Sequence, residues 1–566
     1  MSYSEFPQFT LEQFNESSGP QRLLHDVVDK YGMKTANTPA MIDADRASGV
    51  TWLEFMHATR AVAALLLKRG LRKGDFFASI VPLNSEHLIL EYACFRIGVI
   101  FVPLDMRLGQ TELMRCLRLL PPAAVAFGKA PAIPDLAAFS AALKQEFAPK
   151  LLVQFGKVRE RVGGATLIES LIAGAYALAA EEQAFGDAYD QAVASVTEND
   201  PALVIFTTGS TGSPKAALLS HHGILCQNFC LSNSLLHNSS GALVTLVNLP
   251  PSHVGCQTEL LMSTFFAGGT AVLLPAFDPA RSLQAIAEYK VTAIGQIPAM
   301  FQFEWLLKDY ATFNLTSLEF AAYGGQSVAP AFLERMAQMA PNIGTGLGLT
   351  EASGFCTYIR RPAAQAAECA TSLGAAMPLY PLSIRKEMQA SGAAGEELPQ
   401  GELGHVCFRG PQTFLGYVND SEATKETLSS DGFLYTGDMG RVDATGALQL
   451  AGRVKHVLKP SGYQVFPGDV ENHFTALEGV AACAVVGVEH EITSEAIVAF
   501  VELEPGKSLT VSDLHRHARE LAGYMRPYHF VVLEPGQMPL NRVSKADYAA
   551  LQERAKQEIA GLKHES

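Results

Sequence analysis

The sequence predicts an α/β fold: a large N-terminal domain of layered α/β sheets that carries an antiparallel β subdomain, followed by a small α+β C-terminal domain. Three observations lead there. The chain has 566 residues, beyond the size at which one core keeps growing, so more than one domain is expected. Up to about Gly401 helical and strand-like apolar patterns alternate, the rhythm of a largely parallel sheet. Beyond Gly401 short β-like pieces separated by glycine turns take over, and from Val465 the order becomes helix, strand, strand, helix, strand.

Each element follows from local pattern. Leu53–Arg69 has helical periodicity, Asp75–Pro82 reads as a buried strand, Glu86–Ile97 as a helix and Val99–Asp105 as a second strand. The Ala-rich stretch 121–194 reads as peripheral helices and loops. Ala202–Phe206 is an apolar strand that runs into a glycine loop, after which a short strand and a helix near His222–Leu236 are expected. Thr270–Pro275, Val291–Pro298 and Leu318–Gly325 each read as a strand that ends in Pro or Gly, and in open α/β sheets ligands bind beyond such strand ends. "GELGHVCFRG" and "GALQLAG" supply the antiparallel pieces. "GDVENHFTAL", "VAACAVVGVE", "AIVAFVEL", "VSDLHRHARELAGY" and "HFVVLE" make the last unit.

Bulk properties narrow the partners. A hydrophobic fraction of 48% with 18% charged residues is that of an ordinary globular protein. The net charge of -14, with no basic cluster, argues against nucleic acid or an anionic membrane surface. Nine cysteines without a CxxC pair or zinc-like spacing read as reduced thiols, with Cys226 and Cys230 packing on one helix face. The N-terminus lacks the basic-then-apolar order of a signal peptide, and no apolar run approaches the ~20 residues of a membrane span, so a cytoplasmic location is expected.

The most telling stretch is "FTTGSTGSPKAALLSHHG", Phe206–Gly223. Gly209 and Gly212 let the backbone turn sharply and approach a ligand. Thr207, Thr208, Ser210, Thr211 and Ser213 add hydroxyl donors, so phosphate is the natural guest. The stretch is no Walker loop, because Pro214 separates Ser213 from Lys215 and Ala216 follows. Nor is it a GxGxxG fingerprint. Taken alone it also suits an ordinary polar loop.

The stretch "TTGSTGSPKAALLSH" resembles the signature of the adenylate-forming superfamily: acyl-CoA synthetases, peptide-synthetase adenylation domains and beetle luciferases. Further boxes recur in order. "GLGLTEASG" resembles the YGxTE box, "GELGHVCFRGPQTFLGY" the GEL…GP…GY stretch, "LYTGDMGRVDATGALQLAGRVKHVLKPSGYQVFPGDVE" the TGD and GRxK…GxxVxP boxes, and "PLNRVSKAD" the terminal PxTxxGKxxR box. The resemblance implies two half-reactions. A carboxylate attacks the α-phosphate of ATP to give acyl-adenylate and pyrophosphate; a thiol then displaces AMP. ATP, Mg²⁺ and coenzyme A are the implied cofactors.

Roles carry over residue by residue. Thr208, Ser210, Thr211, Gly212 and Lys215 would grip phosphates. Thr350 would place a hydroxyl on the α-phosphate, and Glu351 a carboxylate on Mg²⁺, with Gly348 and Leu349 in the same box; [ST]xx[DE] patterns also occur as helix caps. Gly324, Gly325 and Gln326 match the segment lining the adenine and acyl pocket, although a strand-ending turn reads the same way. Asp438 would accept from both ribose hydroxyls and Arg453 would add a ribose contact. Lys455 matches the hinge, so the resemblance implies domains 1–454 and 455–566, the second mobile. Gly462 matches the loop that lets pantetheine pass. Lys545 would neutralise carboxylate and α-phosphate during adenylation and then swing away. Three positions depart from the pattern. Leu347 replaces the tyrosine laid against adenine, implying weaker nucleotide affinity; Ser544 replaces the glycine before the lysine, and Ala216 follows Lys215.

For the acid, amino-acid-activating relatives place an aspartate after an aromatic residue to hold an ammonium, whereas this chain reads "LPPSHVGCQTE". His253 stands there, either bordering the acyl site or as a structural histidine. A fatty, cyclic or aromatic acid without an α-amino group is expected, in a pocket with Val254, Gly255, Cys256, Ile297, Met300 and Phe301. Two rivals stay open: an acyl-AMP ligase serving a carrier protein or amine, and a nucleotide-binding protein without catalysis. A homodimer stays open.

Overall fold

The computed structural model describes residues 9–18, 22–180, 185–208, 214–237, 241–454, 457–460, 465–490, 494–540 and 546–564. Among the described residues two large sheets dominate. The first orders its strands Gly416–Tyr417, Pro214–Ser220, Pro201–Thr208, Ile100–Pro103, Phe76–Ile80, Ala124–Phe127, Leu151–Gln154 and Thr166–Leu167. It is parallel except at the Pro214–Ser220 and Gly416–Tyr417 edge. The second runs Ala375–Ala376, Thr357–Pro362, Asn342–Thr345, Phe320–Tyr323, Ala293–Gln296, Val244–Val247, Thr270–Leu273, Pro39–Asp43 and Ser48–Thr51.

Alternation along these strands builds the layers. Phe77 and Phe101 of the first sheet join Val247, Leu273 and Phe320 of the second in one central core, together with the helices Trp52–Lys68, Ser85–Arg96 and His221–Ser232. Their strand neighbours Ala78, Ile80 and Val102 point the other way, into a cluster with Leu113 and Leu117. Leu246, Val272 and Ile294 likewise face Leu283, Ile286 and Phe301 on the far side of the second sheet. Helices therefore lie between the sheets and outside both, and the inner strands of each sheet are apolar on two faces.

The stretch 121–194 corrects the expectation of peripheral helices and loops. It contributes three strands, Ala124–Phe127, Leu151–Gln154 and Thr166–Leu167, to the first sheet. Runs as short as "AVAF" carry no alternation, because both faces are covered. The antiparallel subdomain is a four-stranded sheet ordered Leu382–Arg385, Gly404–Phe408, Leu434–Val442 and Leu448–Arg453. The last unit pairs Val480–His490 antiparallel with Ser494–Leu503, and that strand parallel with His529–Leu533. Pro467–Thr475, Val511–His517 and Tyr548–His564 are its helices. No described helix is long and apolar enough to cross a membrane. All nine cysteines are free thiols, and Cys226 and Cys230 are fully buried.

Glu304, on the helix Pro298–Trp305, is fully buried and accepts one hydrogen bond, from Gln296 Nε2 at 2.9 Å. Burial pushes its carboxyl up from 4.5 to about 8. A carboxyl raised in the folded state stabilises the fold as the neutral acid. That contribution is complete below about 4.5 and is lost as pH rises through about 8. E304Q keeps a neutral side chain at every pH. The melting temperature of the wild type is therefore expected to fall relative to that of E304Q between about pH 5 and pH 8.5; parallel melting curves would overturn this.

Candidate active site

Strand pairing assembles the phosphate side of the site. The glycine-loop strand Pro201–Thr208 pairs antiparallel with Pro214–Ser220, so that Thr207 lies opposite Lys215. Pro214–Ser220 pairs in turn with Gly416–Tyr417, with Tyr417 opposite Ala217. Lys215 is two residues from Ala217 on the same face and thus diagonal to Tyr417. Its Nζ sits 5.0 Å from the centre of the Tyr417 ring, an arrangement that attracts a cation to the ring face.

The Tyr417 hydroxyl donates to Glu351 Oε1 at 2.5 Å. Burial first, and then the Glu351 charge and this hydrogen bond, push the tyrosine well above its usual value, which keeps the proton in place to be donated. Glu351 belongs to a hairpin in which Gly348–Leu349 pairs with Gly354–Phe355 around a 3₁₀ turn, Thr350–Ala352. Leu349, not Thr350, precedes that turn, and no side chain caps it, which removes the helix-cap reading of Thr350 and Glu351. Gln412 ties the hairpin down: its Nε2 donates to the carbonyls of Ala352 (3.1 Å) and Phe355 (2.7 Å), and its own carbonyl accepts from Ser353 Oγ (2.9 Å). The Phe414 amide donates to the Glu351 carbonyl at 2.8 Å. Among the described residues the other Glu351 carboxylate oxygen accepts no hydrogen bond, and the side chain is half-buried. A hard carboxylate with one oxygen held and one open suits Mg²⁺, which takes one or two carboxylates plus substrate phosphates.

The ribose candidates come together by register. Asp438 and Arg453 are direct cross-strand partners in the four-stranded sheet, and Arg453 Nε meets Asp438 Oδ1 at 2.8 Å. The carboxylate is almost fully buried, while the arginine is half exposed.

Gly324, Gly325 and Gln326 follow the strand Phe320–Tyr323 at its C-terminal end. A methyl carbon on Gly324 would meet nothing within 4 Å, and Gly325 has φ +94°, a conformation that glycine takes without strain. Leu347 is half-buried beside the hairpin, and its amide donates to Thr357 Oγ1 at 3.0 Å.

His253 lies one residue before a helical segment that begins at Val254 and is π-helical over Gly255–Leu261. Such geometry recurs at functional sites, and nothing in the sequence signals it. His253 Nε2 stands 3.8 Å from Asp105 Oδ2. Asp105 ends the expected strand Val99–Asp105 and is gripped by Arg107 through its side chain and amide; against the upward push of partial burial, His253 first and then Arg107 hold it well below the usual carboxylate range. Of the expected pocket residues, Val254, Gly255 and Ile297 are half-buried, whereas Cys256, Met300 and Phe301 are buried. Phe301 is packed against Trp305 and Phe332 in the outer core, so it fills the fold rather than the pocket wall.

Ser210, Thr211, Gly212, Lys455, Gly462 and Lys545 lie outside the described residues, as does the side chain of Thr208. Sequence reasoning missed Tyr417 and Asp105. Tyr417 closes the quoted "FLGY" stretch, so its place in a box was the available signal.

These features define a class. Residues 28–418 match the AMP-binding enzyme family and residues 469–545 match its C-terminal domain. The chain belongs to that family, the adenylate-forming enzymes of acyl-CoA synthetase type, and is a ligase. It is 30% identical over 486 residues to a feruloyl-CoA synthase from an Amycolatopsis species, covering 85% of this chain and 89% of that one. It is also 30% identical over 543 residues to a Mycobacterium tuberculosis CoA ligase named for a methyl-dioxo-octahydroindenyl propanoyl group, covering 94% and 99%. ATP-bound MatB from Rhodopseudomonas palustris shares the fold, with a TM-score of 0.77 at 23% identity over 95% of this chain and 99% of that one.

Y417F removes the hydrogen bond to Glu351 and keeps a ring beneath Lys215. The Mg²⁺ concentration for half-maximal pyrophosphate release is expected to rise about 10-fold, the usual cost of losing a ligand's hydrogen-bond partner. An unchanged Mg²⁺ requirement would detach Tyr417 from the cation site.

Proposed function

We propose that the protein activates a carboxylic acid with ATP and passes the acyl group to coenzyme A. A substrate carboxylate oxygen attacks the α-phosphorus, and the bond to pyrophosphate breaks. The coenzyme A sulfur then attacks the acyl carbonyl carbon, and AMP leaves. The observation that carries this reading is the line Lys215–Tyr417–Glu351, in which three separate sequence boxes meet through one ring and one 2.5 Å hydrogen bond. Joining two anions demands preorganised donors and cations. Lys215 would hold the departing phosphates, the Thr350 hydroxyl the α-phosphate, and Asp438 with Arg453 the ribose. Mg²⁺, held by Glu351, would supply charge neutralisation on the phosphate oxygens.

The acid is a fatty, cyclic or aromatic one without an α-amino group. His253 in place of an ammonium-binding aspartate supports this, as do the bulky ring acids in the names of the two 30% identical relatives. We place the hinge at Lys455, between a domain spanning 1–454 and a mobile one spanning 455–566, with Gly462 passing the pantetheine arm. Lys545 is the residue that the mobile domain brings to the α-phosphate. The location is cytoplasmic, in keeping with nine free thiols.

Pyrophosphate release across straight-chain, branched, alicyclic and aromatic acids tests the first step. Hydroxamate trapping with and without coenzyme A separates thioester formation from transfer to a carrier protein or amine. Lys545→Ala should abolish most adenylation while thioester formation from preformed acyl-AMP persists; equal loss of both steps would remove the lysine from its role. Lys455→Pro should do the reverse and spare pyrophosphate release, and equal loss there would count against alternation of the two domains.

A further inference from the structure

The last unit carries a side-chain cluster that takes no part in the steps above. His473 lies in the last turn of the helix Pro467–Thr475, and His517 ends the helix Val511–His517. Their rings stack with centroids 4.1 Å apart and planes 14° from parallel. The contact is reciprocal: His473 Nε2 stands 3.2 Å from the His517 carbonyl oxygen, and His517 Nε2 stands 3.2 Å from the His473 carbonyl oxygen. Glu520 follows on the 3₁₀ turn Ala518–Glu520, and its Oε1 stands 3.7 Å from His517 Nδ1. One ligand atom from each of the three residues lies within 4.8 Å of the other two.

The hydrogen bonds decide what these atoms can do. A carbonyl oxygen only accepts, so each Nε2 carries a proton, and each neutral ring keeps its lone pair at Nδ1. Metal-ligating histidines are oriented in the same way, with one nitrogen donating to a backbone carbonyl or carboxylate and the other left for the ion. Here the two rings give each other that support, and the buried Phe474 ring stands edge-on to both, at 5.3 and 5.7 Å. The His517 lone pair then faces a carboxylate across 3.7 Å. Two acceptors at that distance repel, and a proton shared between them would draw them to about 2.8 Å. The gap has the size for a metal instead, since two atoms bound to one tetrahedral ion at about 2.1 Å stand about 3.4 Å apart.

Among the described residues Glu520 makes no other ion pair, and Arg516, on the helix before it, is engaged by Asp513 at 3.0 Å. Glu520 is exposed and both histidines are half-buried, so an ion reaches the cluster from solvent and keeps water as a fourth ligand. Bringing the three atoms onto one ion takes about 1 Å of movement, within reach of a tilt of the His473 ring and of the exposed Glu520 arm.

We propose that His473, His517 and Glu520 form a binding site for a divalent transition-metal ion of the zinc class. Two imidazoles and a carboxylate suit Zn²⁺, Ni²⁺ or Cu²⁺, whereas Mg²⁺ prefers an octahedral shell of oxygens. The ion staples two helices whose ligands are 44 residues apart, and stabilises the last unit when bound. The site shares no residue with Lys215, Tyr417 and Glu351, so it stands or falls independently of the adenylation reading.

The test is calorimetric titration of the full chain with Zn²⁺ in the presence of excess Mg²⁺, which keeps Glu351 out of the measurement, for wild type, E520Q, H473Q and H517Q. Wild type is expected to bind one Zn²⁺ per chain. Losing a ligand costs at least what losing a ligand's own hydrogen-bond partner costs, so Kd should rise about 10-fold or more in E520Q and about 100-fold in either histidine variant. Zn²⁺ should also raise the melting temperature of wild type and leave that of H517Q unmoved, a response that a purely structural stack does not give. Glu520 is exposed, so E520Q decides if a histidine variant does not fold: unchanged Zn²⁺ affinity there overturns the proposal. Failure of wild type to bind Zn²⁺ overturns it, and so does binding that survives in all three variants, which would place the ion on the thiols or elsewhere.

Discussion

The hydrogen bond from Tyr417 to Glu351 is the contact on which the arrangement of the site depends, because it joins pieces that the chain brings from three distant places. Lys215 reaches Tyr417 through strand register, Glu351 reaches it through the hairpin, and Tyr417 itself is placed by a two-residue edge strand. A reaction between a carboxylate and a triphosphate needs positive charge close to a carboxylate that can hold a cation, yet a lysine and a glutamate left to themselves would pair and cancel. The ring stands between them. It offers its face to the ammonium and its hydroxyl to the carboxylate, so both charges stay near each other and available. Burial keeps the phenol protonated, so the ring does not become a third charge in the group.

Much of this fold was legible because its strands end where Pro and Gly end them. Phe76–Ile80, Ile100–Pro103, Thr270–Leu273, Ala293–Gln296 and Phe320–Tyr323 all fall inside the segments read from pattern. Ala124–Phe127 and Leu151–Gln154 did not stand out, for a physical reason. A strand covered on both faces has no polar side to alternate with, and four apolar residues within an alanine-rich stretch look the same in a helix, a strand or a loop. The site was legible as motifs and illegible as geometry. Asp438 and Arg453 were both singled out, but only register makes them cross-strand partners. Tyr417 lay in a quoted stretch without a role, since its contacts are all non-local. The π-helical turn after His253 depends on packing against the neighbouring helices and has no periodic signature to read.

The hairpin at Thr350 and Glu351 shows how such a site is held still. Ser353 adopts a left-handed conformation, φ +57°, which is unfavourable for a residue with a side chain. Its hydroxyl donates to the Gln412 carbonyl, while the Gln412 side chain returns two hydrogen bonds to the hairpin's own carbonyls. The turn is thus over-determined from outside, and the strained residue offsets its cost locally. Gly348 and Gly354 then do for side-chain packing what Gln412 does for the backbone, because only an absent Cβ lets Glu259 and Gln227 press so close. One hairpin, tied at its backbone by Gln412 and packed closely by Glu259 and Gln227, therefore holds Thr350 and Glu351 in a fixed place beside Tyr417.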